Sequence, residues 1–257
     1  MRILCLGDVV GEEGLQTITA GRALSRLRDS LKADLVIVNG ENSAPGNGMT
    51  PDSAREIFDA GADVITGGNH TWRRREVYSY LDDEEYVIRP ANYPDAVPGH
   101  GWCIADAAGR RVLVLNLAGC VYMESLASPF DTADRILKMN EGKYDVAIVD
   151  IHAEATSEKM ALARYLDGRV SAVFGTHTHV ATADAQILPG GTGYITDVGM
   201  CGSHAGILGV ATEDILHKFR MKTPVYFTPA KGQCAIHGVL FEIDGNGKCV
   251  KAQGIGT

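Results

Sequence analysis

Five short apolar runs, each closed by polar residues able to bind a metal, constrain the possible folds of this chain most tightly. Arg2–Leu6 precedes Gly7-Asp8, Leu35–Val38 precedes Asn39-Gly40-Glu41-Asn42, and Val64–Thr66 precedes Gly67-Gly68-Asn69-His70. Val146–Val149 runs into Asp150-Ile151-His152, and Ala172–Phe174 into Gly175-Thr176-His177-Thr178-His179. Runs this short, without polar alternation, suit strands buried on both faces. Helical patterns lie between most of them, and that alternation predicts a layered α/β fold.

The connecting segments fill in the layers. Leu15, Ile18, Leu24, Leu27 and Leu31 predict one amphipathic helix. Thr50-Pro51 opens a second helix that ends near Gly61, with a cap residue followed by Pro at the first helical position. Further helices are expected over Arg73 to Leu81, Thr132 to Met139 and Ser157 to Leu166, with a strand over Arg111 to Leu117. Tyr86 to Gly101 contains Pro90, Pro94 and Pro98, so it is expected to be irregular and to serve as a lid or subunit contact. Asp244-Gly245-Asn246-Gly247 predicts a hairpin turn between Val239–Ile243 and Cys249–Ala252. No repeat or linker divides the chain, and a single domain over 1–257 is expected.

Charge and cysteine usage narrow the function classes. A formal net charge of -8 argues against a broad nucleic-acid surface, while leaving room for a local phosphate pocket. Arg73, Arg74 and Arg75 form the one dense basic run, which reads as a solvated helix start. Six scattered cysteines without a C-x-x-C pair fit a reducing compartment. The N-terminal apolar stretch is too short for a signal peptide, and no run is long enough to span a membrane. A cytoplasmic protein with no membrane partner is expected.

In a parallel sheet the carboxyl ends of the strands line the ligand crevice. If the five runs are parallel, Asp8, Glu41, Asn42, Asn69, His70, His152, His177 and His179 gather there. Taken singly, each has an ordinary role: Asp8 and Asn69 as helix caps, Asn42 in a turn, His152 hydrogen-bonded in a core. Together with His177 and His179, which would project to one side of an extended chain, they point to a metal centre. The imidazoles, carboxylates and amides are too many for one tetrahedral zinc. They suit two adjacent divalent or trivalent ions sharing a carboxylate in mixed nitrogen and oxygen coordination. Iron or manganese fits that donor set more naturally than structural zinc, with zinc left open. The absence of thiolates disfavours an iron–sulfur cluster. Two ions about 3.5–4 Å apart typically hold a bridging hydroxide and clamp an in-line displacement at phosphorus. His70 is placed to give a proton to the leaving oxygen. It could also be a further ligand or a hydrogen-bond partner.

These blocks resemble the calcineurin-like metallophosphoesterase superfamily. Within it the chain is similar to the bacterial YmdB-like branch over nearly its whole length, including Thr196-Asp197-Val198-Gly199-Met200. Two departures from the broad superfamily stand out: Asp8-Val9-Val10 replaces the usual Asp-x-His, and Glu41 replaces the usual bridging Asp. Both resemble the YmdB-like branch. The resemblance implies a four-layer α-β-β-α metallophosphoesterase sandwich. It implies a first ion held by Asp8, Asn42 and His179, a bridging Glu41, a second ion held by Asn69, His152 and His177, and leaving-group assistance from His70. It further implies a metal-dependent phosphodiesterase acting on small phosphate esters, cAMP or 2′,3′-cyclic nucleotides foremost, and self-association into a homo-oligomer. Two other functions use the same residues: a phosphomonoesterase, and a regulatory metal- and nucleotide-binding protein with little turnover.

Overall fold

The structure, a computed structural model, describes residues 1–257. The five runs fall into two sheets. In the first, the order is Cys249–Gly256, His237–Ile243, Arg2–Leu6, Leu35–Asn39, Val64–Thr66, Val87–Ile88. Its last four strands are parallel, and the C-terminal hairpin joins them antiparallel. In the second, the order is Gln186–Ile187, Gly193–Ile195, Ala172–Thr176, Val146–His152, Arg110–Ala118, Trp102–Ala107. Its four central strands are parallel. A small third sheet pairs Met200–Ser203 with Asp8–Val9 and so fixes Asp8 just beyond the first strand.

Alternation along these strands explains the layering. Ile3, Cys5 and Ile37 of the first sheet pack against Val114, Ile148 and Phe174 of the second. Leu4, Leu6 and Val38 turn outward to Ile18, Leu24 and Ile57, on the helices Gly11–Thr19, Ala23–Leu31 and Pro51–Ala60. Leu115, Val149 and Val173 turn the other way, toward Ile136 and Leu162 on the helices Pro129–Met139 and Thr156–Tyr165. Burial on both faces removes the polar alternation, as expected for parallel strands between helix layers. The result is the expected four-layer α-β-β-α sandwich.

Several elements differ from the sequence expectation. The helix expected from Leu15 to Leu31 is two helices, broken where Gly21 (φ 56) and Arg22 (φ 58) turn left-handed. Ile18 and Leu24 are out of phase for one continuous helix. The helix expected from Arg73 begins only at Tyr78, after a tight turn at Arg75–Val77. Arg74 is extended there and its Nε donates to Asn47 O at 3.1 Å, tying the basic run to the Gly/Pro loop. Strand Trp102–Ala107 and helix Thr212–Met221 have no counterpart in the sequence expectation. The strand's outward positions include apolar Trp102 and Ile104, and Ile215 is the helix's single buried residue, so neither carries a clear pattern. Between Tyr86 and Gly101 only Val87–Ile88 is regular, as the prolines predict.

One buried ion pair sets the end of the fifth run. Lys159, fully buried on its helix, donates to Thr176 O at 2.7 Å and to Asp197 Oδ2 at 2.6 Å. The same Asp197 oxygen accepts from the Thr178 amide at 3.1 Å and hydroxyl at 2.8 Å. Both sides of His177 are therefore anchored to one charge pair. Removing one partner of a buried pair leaves an uncompensated charge, at a cost of about 3–5 kcal/mol. Lys159→Ala is expected to lower unfolding free energy by that amount in urea titrations; a loss below about 1 kcal/mol would show the pair to be dispensable.

Candidate metal centre

All eight sequence-selected residues lie where the carboxyl ends of the two sheets meet. The loops after the first sheet's strands supply Glu41, Asn42, Asn69 and His70, with Asp8 on the small third sheet just beyond Arg2–Leu6; the second sheet supplies His152, His177 and His179. Glu41, His152 and His177 bring their donor atoms within 4.8 Å of one another. Three groups crowd one ring nitrogen, His152 Nε2: Asn69 Oδ1 at 3.0 Å, His177 Nδ1 at 3.1 Å and Glu41 Oε1 at 3.2 Å. One N–H cannot serve three such partners. The Thr176 hydroxyl, 2.9 Å from His152 Nδ1, fixes the ring from behind.

The other half forms around Asp8, which is completely buried. Its Oδ2 accepts the His177 amide at 3.1 Å. Its Oδ1 accepts no hydrogen bond and lies 3.5 Å from His179 Nε2. Glu41 joins the halves. Its Oε1 accepts from Asn42 Nδ2 at 3.0 Å, and its Oε2 from the His70 amide at 2.8 Å. Asn42 Oδ1 faces His70 Nδ1 at 2.8 Å, and the His70 side chain remains 28% exposed.

The His177 and His179 expectation needs one correction. The strand ends at Thr176, and both histidines lie beyond it with left-handed backbones, φ 94 and φ 62. Strand alternation therefore does not aim them. The Lys159–Asp197 pair and the small third sheet hold the turn instead, sending His177 toward His152 and His179 toward Asp8.

Electrostatics follows from burying carboxylates beside imidazoles. Burial alone would raise the Glu41 carboxyl, but the charge and hydrogen bond of His152, and then of His70, hold it well below the usual range. Burial likewise opposes ionisation of Asp8, and His179 outweighs it, so Asp8 is lowered. Against its own burial, His152 is raised to about 9 by Glu41. Burial and the charge of His152 lower His177 to about 4. Without a cation, protons on imidazole balance the carboxylates; a cation must displace them to use those nitrogens.

Three further groups complete the site. Asp150 lies beneath His152, raised to about 6 by burial, and accepts from Thr66 Oγ1 at 2.5 Å and Thr176 Oγ1 at 2.7 Å. Its signal was present in sequence: a carboxylate two residues before His152 shares its strand face. Glu154 Oε2 lies 3.2 Å from His177 Nε2. Gly68 leaves the space the donors occupy, since a Cβ there would overlap both Glu41 Oε2 and His152 Nε2. The Asp8 oxygen with only a long contact to His179, the crowding at His152 Nε2 and the mixed nitrogen and oxygen donors together fit bound cations.

The sequence matches the YmdB-like protein family over residues 4–255. It is 45% identical over 244 residues to a Bacillus subtilis protein described as 2′,3′-cyclic-nucleotide 2′-phosphodiesterase, covering 95% of this chain and 92% of that one. A Thermus thermophilus crystal structure described as a hypothetical protein superposes with a TM-score of 0.93 at 44% identity, covering 100% of this chain and 99% of that one. A Mycoplasma pneumoniae structure described as a novel phosphatase gives 0.93 at 33% identity, over 100% and 93%. Two sheets between helix layers, with histidines, amides and carboxylates joined at their common end, thus place this chain in the YmdB-like family, hydrolytic phosphoesterases of calcineurin-like metallophosphoesterase fold.

Proposed function

We propose that residues 1–257 form one dinuclear-metal phosphodiesterase domain that hydrolyses small phosphodiesters, 2′,3′-cyclic nucleotides and cAMP foremost. The observation that carries this is the convergence of donors from both sheets on Glu41, together with the described activity of the Bacillus subtilis relative. Asp8, Asn42 and His179 would hold one ion, Asn69, His152 and His177 the other, with Glu41 shared. Iron or manganese suits these donors, zinc being the alternative. Bound ions would supply the nucleophile and neutralise charge on the phosphoryl oxygens.

The chain's own part is to place and protonate. His70 Nδ1 is occupied by Asn42 Oδ1, which leaves Nε2 of the partly exposed ring to meet the leaving oxygen and give it a proton. The Glu41 carboxylate holds the His70 backbone amide and so fixes where that ring starts. A phosphomonoesterase is the second reading, favoured by the description of the Mycoplasma pneumoniae structure. Paired assays with a monoester and a diester decide between them.

Self-association belongs to the same reading. It is supported by Leu216, Phe219 and Met221 on the helix Thr212–Met221, with Tyr226 and Phe227 beyond it, all exposed. No helix is long and apolar enough to cross a membrane. Six free thiols support a cytoplasmic setting.

Two variants test the assignment. His70→Ala is expected to keep its metal and lose about 10²–10⁴-fold in kcat on cyclic nucleotides. An unchanged kcat removes His70 from proton transfer. Gly68→Ala is expected to keep its fold by circular dichroism while its metal content, read by elemental analysis, drops below two ions per chain. Two retained ions would show that Gly68 is not the floor of the site.

A further inference from the structure

The proline-rich segment that joins the sheets holds a concave feature apart from the metal centre. It runs from the carboxyl end of Val87–Ile88, the outer strand of the first sheet, to the start of Trp102–Ala107, the outer strand of the second. A cavity of about 450 Å³ opens there, lined by Glu85, Arg89, Asp95, His100 and Arg135 among others. It lies at the lateral edge of the sandwich, beside the outermost strand of each sheet. The size suits a small ligand.

Arg89 makes this cavity chemically specific. The residue is only 5% exposed. Its Nε donates to Gly99 O at 3.2 Å and one terminal nitrogen donates to Pro90 O at 3.0 Å. Both acceptors are neutral backbone carbonyls, and Arg89 forms no ion pair. A guanidinium has five N–H donors in a planar fork, so several remain for the cavity. Burying a charge without a counter-ion in direct contact is costly. Arg135, exposed on the helix Pro129–Met139, lines the same cavity and is likewise without an ion-pair partner. Asp95 and Glu85 also line the cavity, both exposed; the charge of Asp95 acts on Arg89 from beyond ion-pair distance, without outweighing the burial that lowers the guanidinium, and the like charge of Arg135 opposes it.

We propose that this cavity binds a phosphate group through Arg89 and Arg135, with His100 at its edge. Planar forks on two arginines match the oxygens of a phosphate better than those of a neutral ligand. The group could be a second phosphate on the substrate or a separate phosphate compound; the recognition chemistry is shared. Phosphate binding in this cavity does not rest on the metal centre and survives the failure of that assignment; only its attribution to a substrate phosphate rests on the proposed phosphodiesterase activity.

The probe is inorganic phosphate titrated calorimetrically into metal-loaded protein, with phosphate-soaked crystals to locate it. Phosphate between Arg89 and Arg135 is expected, in addition to any held at the metal centre. Arg135→Glu, on an exposed position that folding tolerates, is expected to weaken that binding at least about tenfold. Comparing 2′,3′-cyclic nucleotides with and without a 5′-phosphate separates the sources. A lower KM for the 5′-phosphorylated compound, erased by Arg135→Glu, assigns the site to substrate; equal KM values assign it to a separate phosphate. Phosphate found only at the metal centre overturns the proposal. So does a phosphate-free cavity whose Arg135→Glu variant changes subunit stoichiometry in sedimentation, which would make the cavity a contact between copies.

Discussion

Asp8 and Glu41 bury two carboxylates at the seam between the sheets, and much of the surrounding structure responds to that burden. Several kcal/mol would be lost for each if it were left ionised without compensation. The first sheet cannot supply that compensation alone, because its own strand ends add mainly amides and the partly exposed His70. Imidazoles from the second sheet must come across: His152 to Glu41 and His179 to Asp8. The depressed carboxyls and the raised His152 and His179 are two sides of this mutual neutralisation. Cations can take over the same task while leaving the donors in place, which links the packing of the sandwich to its chemistry.

Reaching across the seam requires unusual backbone. His177 and His179 both adopt left-handed conformations, which cost non-glycine residues of order 1–3 kcal/mol and persist only where neighbours over-determine them. Here the neighbours are identifiable. Lys159 and Asp197 clasp Thr176 and Thr178, and Asp8 accepts the His177 amide. A rigid, dry support lies below a site whose outer face, at His70 and His177, stays open to solvent. Such an arrangement holds donors in position without closing the approach of a phosphate ester.

Much of this was legible in the residues themselves, for a physical reason. Strands buried on both faces must be largely apolar, so polar groups concentrate where the strands end, and those groups gather at the candidate site. Asp8, Glu41, Asn42, Asn69, His70, His152, His177 and His179 could be picked out on that basis. Their division between two sheets could not, because the local pattern of a parallel strand is the same in either. Nor could the helix Thr212–Met221, whose apolar residues other than Ile215 are exposed and leave no core stripe. The break at Gly21 and Arg22 was visible only as a phase slip between Ile18 and Leu24. Lys159 and Asp197 were hidden because their pairing depends on long-range packing; in sequence, a lysine on a helix reads as solvated.

The proposed shared role of Glu41 is tested most directly by anomalous diffraction, at the metal absorption edge, from crystals of the metal-loaded protein. Two separate peaks are expected on either side of the Glu41 carboxylate, one bounded by Asp8 and His179 and the other by His152 and His177. A single peak, or density remote from Glu41, would contradict a carboxylate-bridged pair assembled from both sheets.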